Sequence, residues 1–67
     1  MKFIKIERGG LVSTAHIQFI FNCDDGSAFA VVDHGLECLE VDNHHYAGFR
    51  LAADYETVML LLGDSDE

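Results

Sequence analysis

The stretch from residue 17 to residue 32, IQFIFNCDDGSAFAVV, decides the fold class of this chain. Its centre, DDGS at residues 24–27, separates two apolar runs, and apolar and polar letters largely alternate along the first run. An Asp-Gly pair between two strand-like runs predicts a tight β-hairpin, because glycine accepts the positive φ that such a turn requires. The sequence therefore predicts two antiparallel strands, over residues 11–23 and 28–32.

Strand-like patterns continue on both sides of this hairpin. Toward the N-terminus, residues 2–7 alternate between apolar and charged side chains, and the turn glycines at 9–10 follow them. Toward the C-terminus, residues 36–42 fit a short helix through leucines three apart, or a strand through alternation. The β-branched valine and the short length favour the strand. A turn at 42–43 and a short fifth strand over 45–51 are expected next.

The C-terminal segment has the strongest helical pattern. Asp54 suits the N-cap position, and Gly63 suits the position just after a helix. The apolar stripe at helical spacing consists of Leu51, Tyr55, Val58, Met59 and Leu62. Runs of strands followed by a helix predict an α+β fold: an antiparallel sheet of four to five strands with one C-terminal helix packed on one face. The other face of such a sheet is open to water or to a partner.

The length and composition indicate one small domain, residues 1–67. No stretch approaches the roughly 18 consecutive apolar residues of a membrane helix. The opening residues, MKFIKIERGG, lack the long apolar run of a secretory signal. We therefore expect a cytoplasmic protein, in which Cys23 and Cys38 are reduced and mostly buried.

The charge is strongly negative and unevenly distributed. The formal net charge is −8, and residues 23–67 hold eleven acids against a single base, Arg50. Nucleic acid and anionic membranes are disfavoured as direct partners, because phosphate contacts need lysine and arginine. A basic protein partner is favoured instead, attracted over long range. The alternative is that the acids only keep a small, hydrophobic protein soluble.

The sequence contains potential metal ligands but no motif that joins them. Five Cys and His side chains are candidates for zinc: Cys23, His34, Cys38, His44 and His45. They form no C-x₂₋₄-C pair, and adjacent histidines in a strand point to opposite faces. A nucleophilic cysteine needs a positive surround, whereas these cysteines lie among acids. We expect no enzyme activity, no cofactor and no metal.

The acids have a spacing that suits mimicry of a nucleic-acid backbone. In a strand, Glu40 and Asp42 would project from one face about 6.6 Å apart, close to two steps of a DNA strand at about 3.4 Å per phosphate. The predicted partner-binding surface consists of Asp24, Asp25, Glu37, Glu40, Asp42, Asp54 and Glu56. His44, His45 and Tyr46 are expected at its rim.

The length, the acidity, the lack of catalytic motifs and the opening letters MKFIK at residues 1–5 resemble the small anti-CRISPR proteins of phages and mobile elements. The resemblance implies a non-enzymatic inhibitor in the cytoplasm of a bacterial host. It implies a CRISPR surveillance complex, or one of its subunits, as the partner, and a block of target DNA recognition by imitation of DNA. The family has no shared motif, so the predicted contact acids come from the charge pattern alone.

Two other functions stay open at this point. One is an interaction or oligomerisation subunit that uses its apolar C-terminal helix, with Val58, Met59, Leu61 and Leu62 buried in a homodimer or against a host protein. The other is a small metal-binding domain that uses the two cysteines and the histidines.

Overall fold

The computed structural model describes residues 2–63, which form a small α+β fold: a four-stranded antiparallel sheet, a β-hairpin, and a C-terminal helix that contacts the sheet. The elements are β1 (Phe3–Lys5), β2 (Leu11–Ser13), a 3₁₀ turn (Thr14–His16), β3 (Ile17–Asn22), β4 (Ser27–Val32), β5 (Glu37–Val41), β6 (His44–Asp54) and α1 (Tyr55–Gly63). The order in the four-stranded sheet is β3-β4-β6-β5. The predicted fold class is confirmed.

The hairpin predicted at DDGS is also confirmed. Gly26 has a φ of 89°, and its N–H donates to the carbonyl oxygen of Cys23 at 2.9 Å. The Asp25 carboxylate accepts a hydrogen bond from the backbone N–H of Ser27 at 3.0 Å. These bonds close the turn between β3 and β4, which then pair in register with Phe21 opposite Phe29.

The single strand predicted over residues 11–23 is wrong. The side-chain oxygen of Ser13 accepts a hydrogen bond from the N–H of Ala15 at 3.2 Å and starts the 3₁₀ turn that separates β2 from β3. A serine hydroxyl that bonds to nearby backbone competes with a strand ladder in this way. As a result, β2 pairs with β1, whereas β3 pairs with β4.

The strand predicted over residues 45–51 is longer, because β6 runs through Asp54. Leu51, which the sequence placed on the helical stripe, is therefore a strand residue and is almost fully buried. Its spacing of four from Tyr55 matched a helix by coincidence, since alternate β6 positions 49, 51 and 53 face the core. Gly63, expected just beyond the helix, is its last residue.

The core lies between one face of the sheet, the β1–β2 hairpin and α1. Its buried residues are Ile4, Ile6, Val12, Ala28, Ala30, Val32, Leu51 and Val58. The β1–β2 hairpin contacts β6 just beyond the stretch of β6 that pairs with β5. There, Ile6 forms an antiparallel bridge with Leu51, and the N–H of Glu7 donates to the Arg50 carbonyl oxygen at 2.9 Å. The edge of β6 is thus covered first by β5 and then by the hairpin.

Two glycines allow this packing because they lack a Cβ. A Cβ on Gly48 would overlap the carbonyl oxygen of Ala30 in β4, and a Cβ on Gly35 would overlap the backbone of Gly48. The turn after β4 therefore lies directly against β6. No larger residue fits at either position without moving backbone.

Candidate functional site

Four of the seven predicted contact acids lie at one end of the molecule. Asp24 and Asp25 occupy the β3–β4 turn, and Asp54 and Glu56 occupy the junction of β6 and α1. The two segments are joined by a backbone hydrogen bond: the N–H of Tyr55, at the start of α1, donates to the carbonyl oxygen of Gly26 in the turn at 2.9 Å. We call Asp24, Asp25, Asp54 and Glu56 the turn-end acids.

Two others lie at the opposite end. Glu40 is near the end of β5, and Asp42 is in the turn that leads into β6. The ten steps of β6 separate this turn from Asp54 by about 30 Å at about 3.3 Å per residue, in a molecule 37 Å long. Asp42 has a φ of 50° and lies outside the strand, so the strand spacing predicted for this pair is wrong. The predicted acids therefore form no single row.

Hydrogen bonds hold two of the turn-end acids in place. The Asp54 carboxylate accepts from the Thr57 N–H at 2.9 Å and so caps α1, as predicted. Hydrogen bonds from the Thr57 side chain and backbone lower the pKa of Asp54. The pKa of Asp25 is lowered by the Ser27 side chain, the Ser27 N–H and the charge of Arg50. Both carboxylates are therefore ionised and oriented at neutral pH.

Glu37 has a structural position rather than an exposed one. Its Oε1 accepts from the backbone N–H of Arg50 at 3.3 Å, and its Oε2 lies 3.9 Å from Nη1 of Arg8. That N–H belongs to β6 at the point between the last β5 pair and the bridge to Ile6. The carboxylate thus replaces a strand partner where the edge would otherwise have a gap.

The predicted rim residues lie on the β5–β6 hairpin. His45 lies opposite Glu40, with Nε2 3.6 Å from the carboxylate, and both side chains are exposed. The His44 ring lies 6.5 Å from the ring of Tyr46. These residues are about 30 Å along β6 from the turn-end acids, so they form no rim around that group.

The face of the sheet opposite the core carries an aromatic cluster that the sequence analysis did not single out as a site. The rings of Phe19 and Phe21 are 4.8 Å apart, and those of Phe21 and Tyr46 are also 4.8 Å apart. Phe29 lies on the same face and is buried. The alternation of Phe19 and Phe21 in the sequence could have indicated this cluster. The apolar residues of β3 and β4 lie on both faces of the sheet, however, so their pattern did not show which face the core would cover.

Phe19 stands at the outer edge of this face. Strand β3 has one neighbour among the described strands, β4, so its other edge is open. Phe19 is 57% exposed despite its size. A groove lies on each side of it: one on the aromatic face, beside Phe21 and Tyr46, and one between β3 and α1, beside Tyr55 and Met59.

The apolar helix presents only part of its predicted surface. Val58 is fully buried in the core, and Met59 and Leu62 pack against the core. Leu60 and Leu61 are exposed, at 70% and 44%. A dimer surface made from Val58, Met59, Leu61 and Leu62 is therefore wrong for the folded chain, because most of that set already covers the sheet.

The potential metal ligands are scattered. Cys23 and Cys38 are both free thiols; Cys38 is exposed and Cys23 is half-buried, so the expectation of mostly buried cysteines is wrong for Cys38. Within residues 2–63, no three His, Cys, Asp or Glu side chains come together as a group that could hold a metal ion. Over the same residues, no helix is both long enough and apolar enough to cross a membrane.

Comparison of the chain with protein-family models, with curated proteins and with solved structures found no match.

Proposed function

We propose that this protein is a non-enzymatic inhibitor that binds a basic, nucleic-acid-binding surface of a partner protein and competes there with the nucleic acid. The observation that carries the proposal is the set of turn-end acids. These four residues lie on two segments, a tight turn and a helix start, that a backbone hydrogen bond joins. Two of them are fixed by hydrogen bonds.

Few positive side chains of the described chain lie close enough to neutralise the turn-end acids. Arg50 lies 4.0 Å from the Asp25 carboxylate. For Asp24, Asp54 and Glu56, no ion pair with another described residue is present. Their charge is available to lysine and arginine side chains of a partner, which would otherwise contact phosphates. Charges that are already oriented lose little conformational entropy on binding.

The resemblance to small anti-CRISPR proteins supports a CRISPR surveillance complex as the first partner to test. Such a complex holds DNA in positively charged channels. Attraction between exposed charges weakens with salt, so inhibition is expected to fall as ionic strength rises.

A competition assay with charge-reversed variants tests the proposal. Purified surveillance complexes of several types, each with its target duplex, are titrated with the protein at low and high salt. The first variant is Asp24→Lys with Glu56→Lys, chosen because neither carboxylate makes a hydrogen bond or ion pair within the described part of the chain. The matched control is Glu40→Lys with Asp42→Lys at the other end, which changes the net charge equally.

We expect the wild type to displace DNA from one complex type, less strongly at high salt. The turn-end variant should lose that effect while the control retains most of it, and thermal melts should show that both remain folded. Equal loss in both variants would indicate that net charge alone acts. Retained displacement in the turn-end variant, or no displacement by the wild type from any complex, would overturn the proposal.

A further inference from the structure

The outer edge of β3 has the features of a strand that pairs with another strand. It spans six residues, Ile17–Asn22, with no charged side chain and no proline; its pairing with β4 is regular from Phe19 to Asn22 and shifts register between Ile17 and Phe19. Exposed apolar edges of this kind are normally protected by charge, proline or a covering element, because their free N–H and C=O groups attract other strands. Here the edge is left open and carries the exposed Phe19.

The backbone direction along β3 follows from the hairpin turn. The N–H of Cys23 donates to the Ser27 carbonyl oxygen, so the backbone N–H and C=O groups of Cys23 point toward β4. Since the direction of N–H and C=O alternates along a strand, Asn22 and Ile20 direct theirs to the open edge. Ile20 lies near the middle of that edge.

The residues around Ile20 are self-complementary. Over the regular part of the strand, an antiparallel pair of two copies centred on Ile20 places Phe19 opposite Phe21. Each residue thus meets one of its own chemical kind, and the two Ile20 residues exchange backbone hydrogen bonds.

We infer that β3 is a homodimerisation edge, at which two copies of this chain join their sheets antiparallel about Ile20. The pairing extends the aromatic face across both copies and places the four phenylalanines side by side. Cross-strand aromatic pairs stabilise such a ladder. The two grooves that flank Phe19 then receive side chains from opposite faces of the added strand, since alternate strand residues point to opposite faces.

The dimer is weak and is strengthened by salt. A six-residue edge buries less than the roughly 1,200 Å² of a stable specific interface. Each copy also carries a net charge of −8, so the copies repel each other at low ionic strength. Salt screens this repulsion, whereas it weakens binding of the acids to a basic partner. The two associations therefore respond to salt in opposite directions.

Sedimentation across low micromolar to submillimolar concentration tests the dimer. We expect a monomer–dimer equilibrium that shifts toward dimer at high salt. Phe19→Lys places a charge on the edge and should raise the dimer dissociation constant roughly tenfold or more. Leu60→Lys is the matched control, because Leu60 is also an exposed apolar residue but lies on α1. It should leave the equilibrium nearly unchanged.

A disulfide tests the register. In a Cys23→Ser, Cys38→Ser background, Ile20→Cys should crosslink between copies, because the two Ile20 residues lie directly opposite each other with Cα atoms about 5.5 Å apart. Asn22→Cys is the control and should not crosslink, since its two copies would lie about 13 Å apart along the strand. Ile20 is half-buried and Asn22 is exposed, and circular dichroism checks that both variants fold.

A monomer at submillimolar concentration and high salt would overturn the inference. So would equal dissociation by Phe19→Lys and Leu60→Lys, or a dimer that fails to crosslink through Ile20→Cys. Phe19→Lys leaves every acid in place. A monomeric Phe19→Lys protein that still displaces DNA would separate the edge from the proposed inhibition. A wild-type dimer that displaces no DNA would reject the inhibition and leave the dimer standing.

Discussion

The two edges of the described four-stranded sheet differ in how they are protected from other strands. The β5 edge carries Glu37 and Glu40 within five residues, and charged side chains discourage edge-to-edge pairing. The β3 edge carries no charge and exposes Phe19. The chain has twelve acids, yet none of them lies in residues 17–22, which form the β3 edge. This contrast favours β3 as the edge that associates.

The backbone of the two sides also differs. On the β5 side, the Glu37 carboxylate accepts the N–H of Arg50 where β5 no longer covers β6, and the hairpin bridge begins at Leu51. The N–H of Arg50 therefore has an acceptor at the junction between β5 and the hairpin. On the β3 side, the outward groups of Ile20 and Asn22 face solvent. Strand β5 has no described strand beyond it either, so its charged side chains are what distinguish it from the β3 edge.

The largest loss of stability is expected from Gly48→Ala, which places a methyl group in the close-packed position between β4 and β5. Gly48 lies between Val31 of β4 and Glu37 of β5, and a Cβ there would overlap the Ala30 carbonyl oxygen. Overpacking against backbone should cost about 3 kcal/mol of unfolding free energy. Urea denaturation followed by circular dichroism measures it. Gly63→Ala is the control, since nothing lies near its Cβ; a Gly48→Ala protein as stable as this control would contradict the packing.

A smaller effect is expected from Glu37→Leu, which reopens the gap on β6. The substitution leaves the Arg50 N–H without its acceptor, at a cost of about 1 to 3 kcal/mol. Glu37→Gln keeps an acceptor oxygen and should lose much less. Glu40→Gln, in the same strand but exposed beside His45, should change stability by no more than about 0.5 kcal/mol. Equal losses in the Leu and Gln variants at position 37 would show that charge, rather than the hydrogen bond, matters there.

The smallest effect is a pH dependence on the β3 side, where α1 packs. The Asp54 pKa is lowered from its ordinary 3.8 by hydrogen bonds from Thr57. Because the folded pKa lies below the unfolded one, this contribution is present above about pH 3.8 and is lost as pH falls through the folded pKa. The thermal midpoint should therefore drop by a few degrees as pH falls below about 4.

Asp54→Asn tests this origin, since asparagine caps helices without titrating. The variant should show a smaller fall in thermal midpoint over the same acidic range, measured by circular dichroism at a series of pH values. Asp24→Asn is the matched control, because Asp24 makes no hydrogen bond within the described residues. A variant at Asp54 with the full wild-type pH dependence would assign the effect to other carboxylates.

The structural features that are set by residues close together in the chain could be predicted from the sequence. The turn at Gly26, the strand after it, the N-cap at Asp54 and the α+β class all follow from local backbone preferences and short-range periodicity. The break between β2 and β3 was missed because a Ser13 side-chain bond outweighed an otherwise strand-like pattern. The extent of β6 was missed because Leu51 satisfies strand and helix spacing equally well.

The hairpin, the fold class and the strong acidity of residues 23–67 could all be read from the order of the residues. The grouping of the acids, the lack of a described strand beside β3 and the role of Glu37 became apparent only in the folded chain. Strand order and register bring together residues far apart in the chain, such as Glu37 and Arg50. Local spacing contains no information about such pairs, so the turn-end acids and the free β3 edge emerge only when the sheet is assembled.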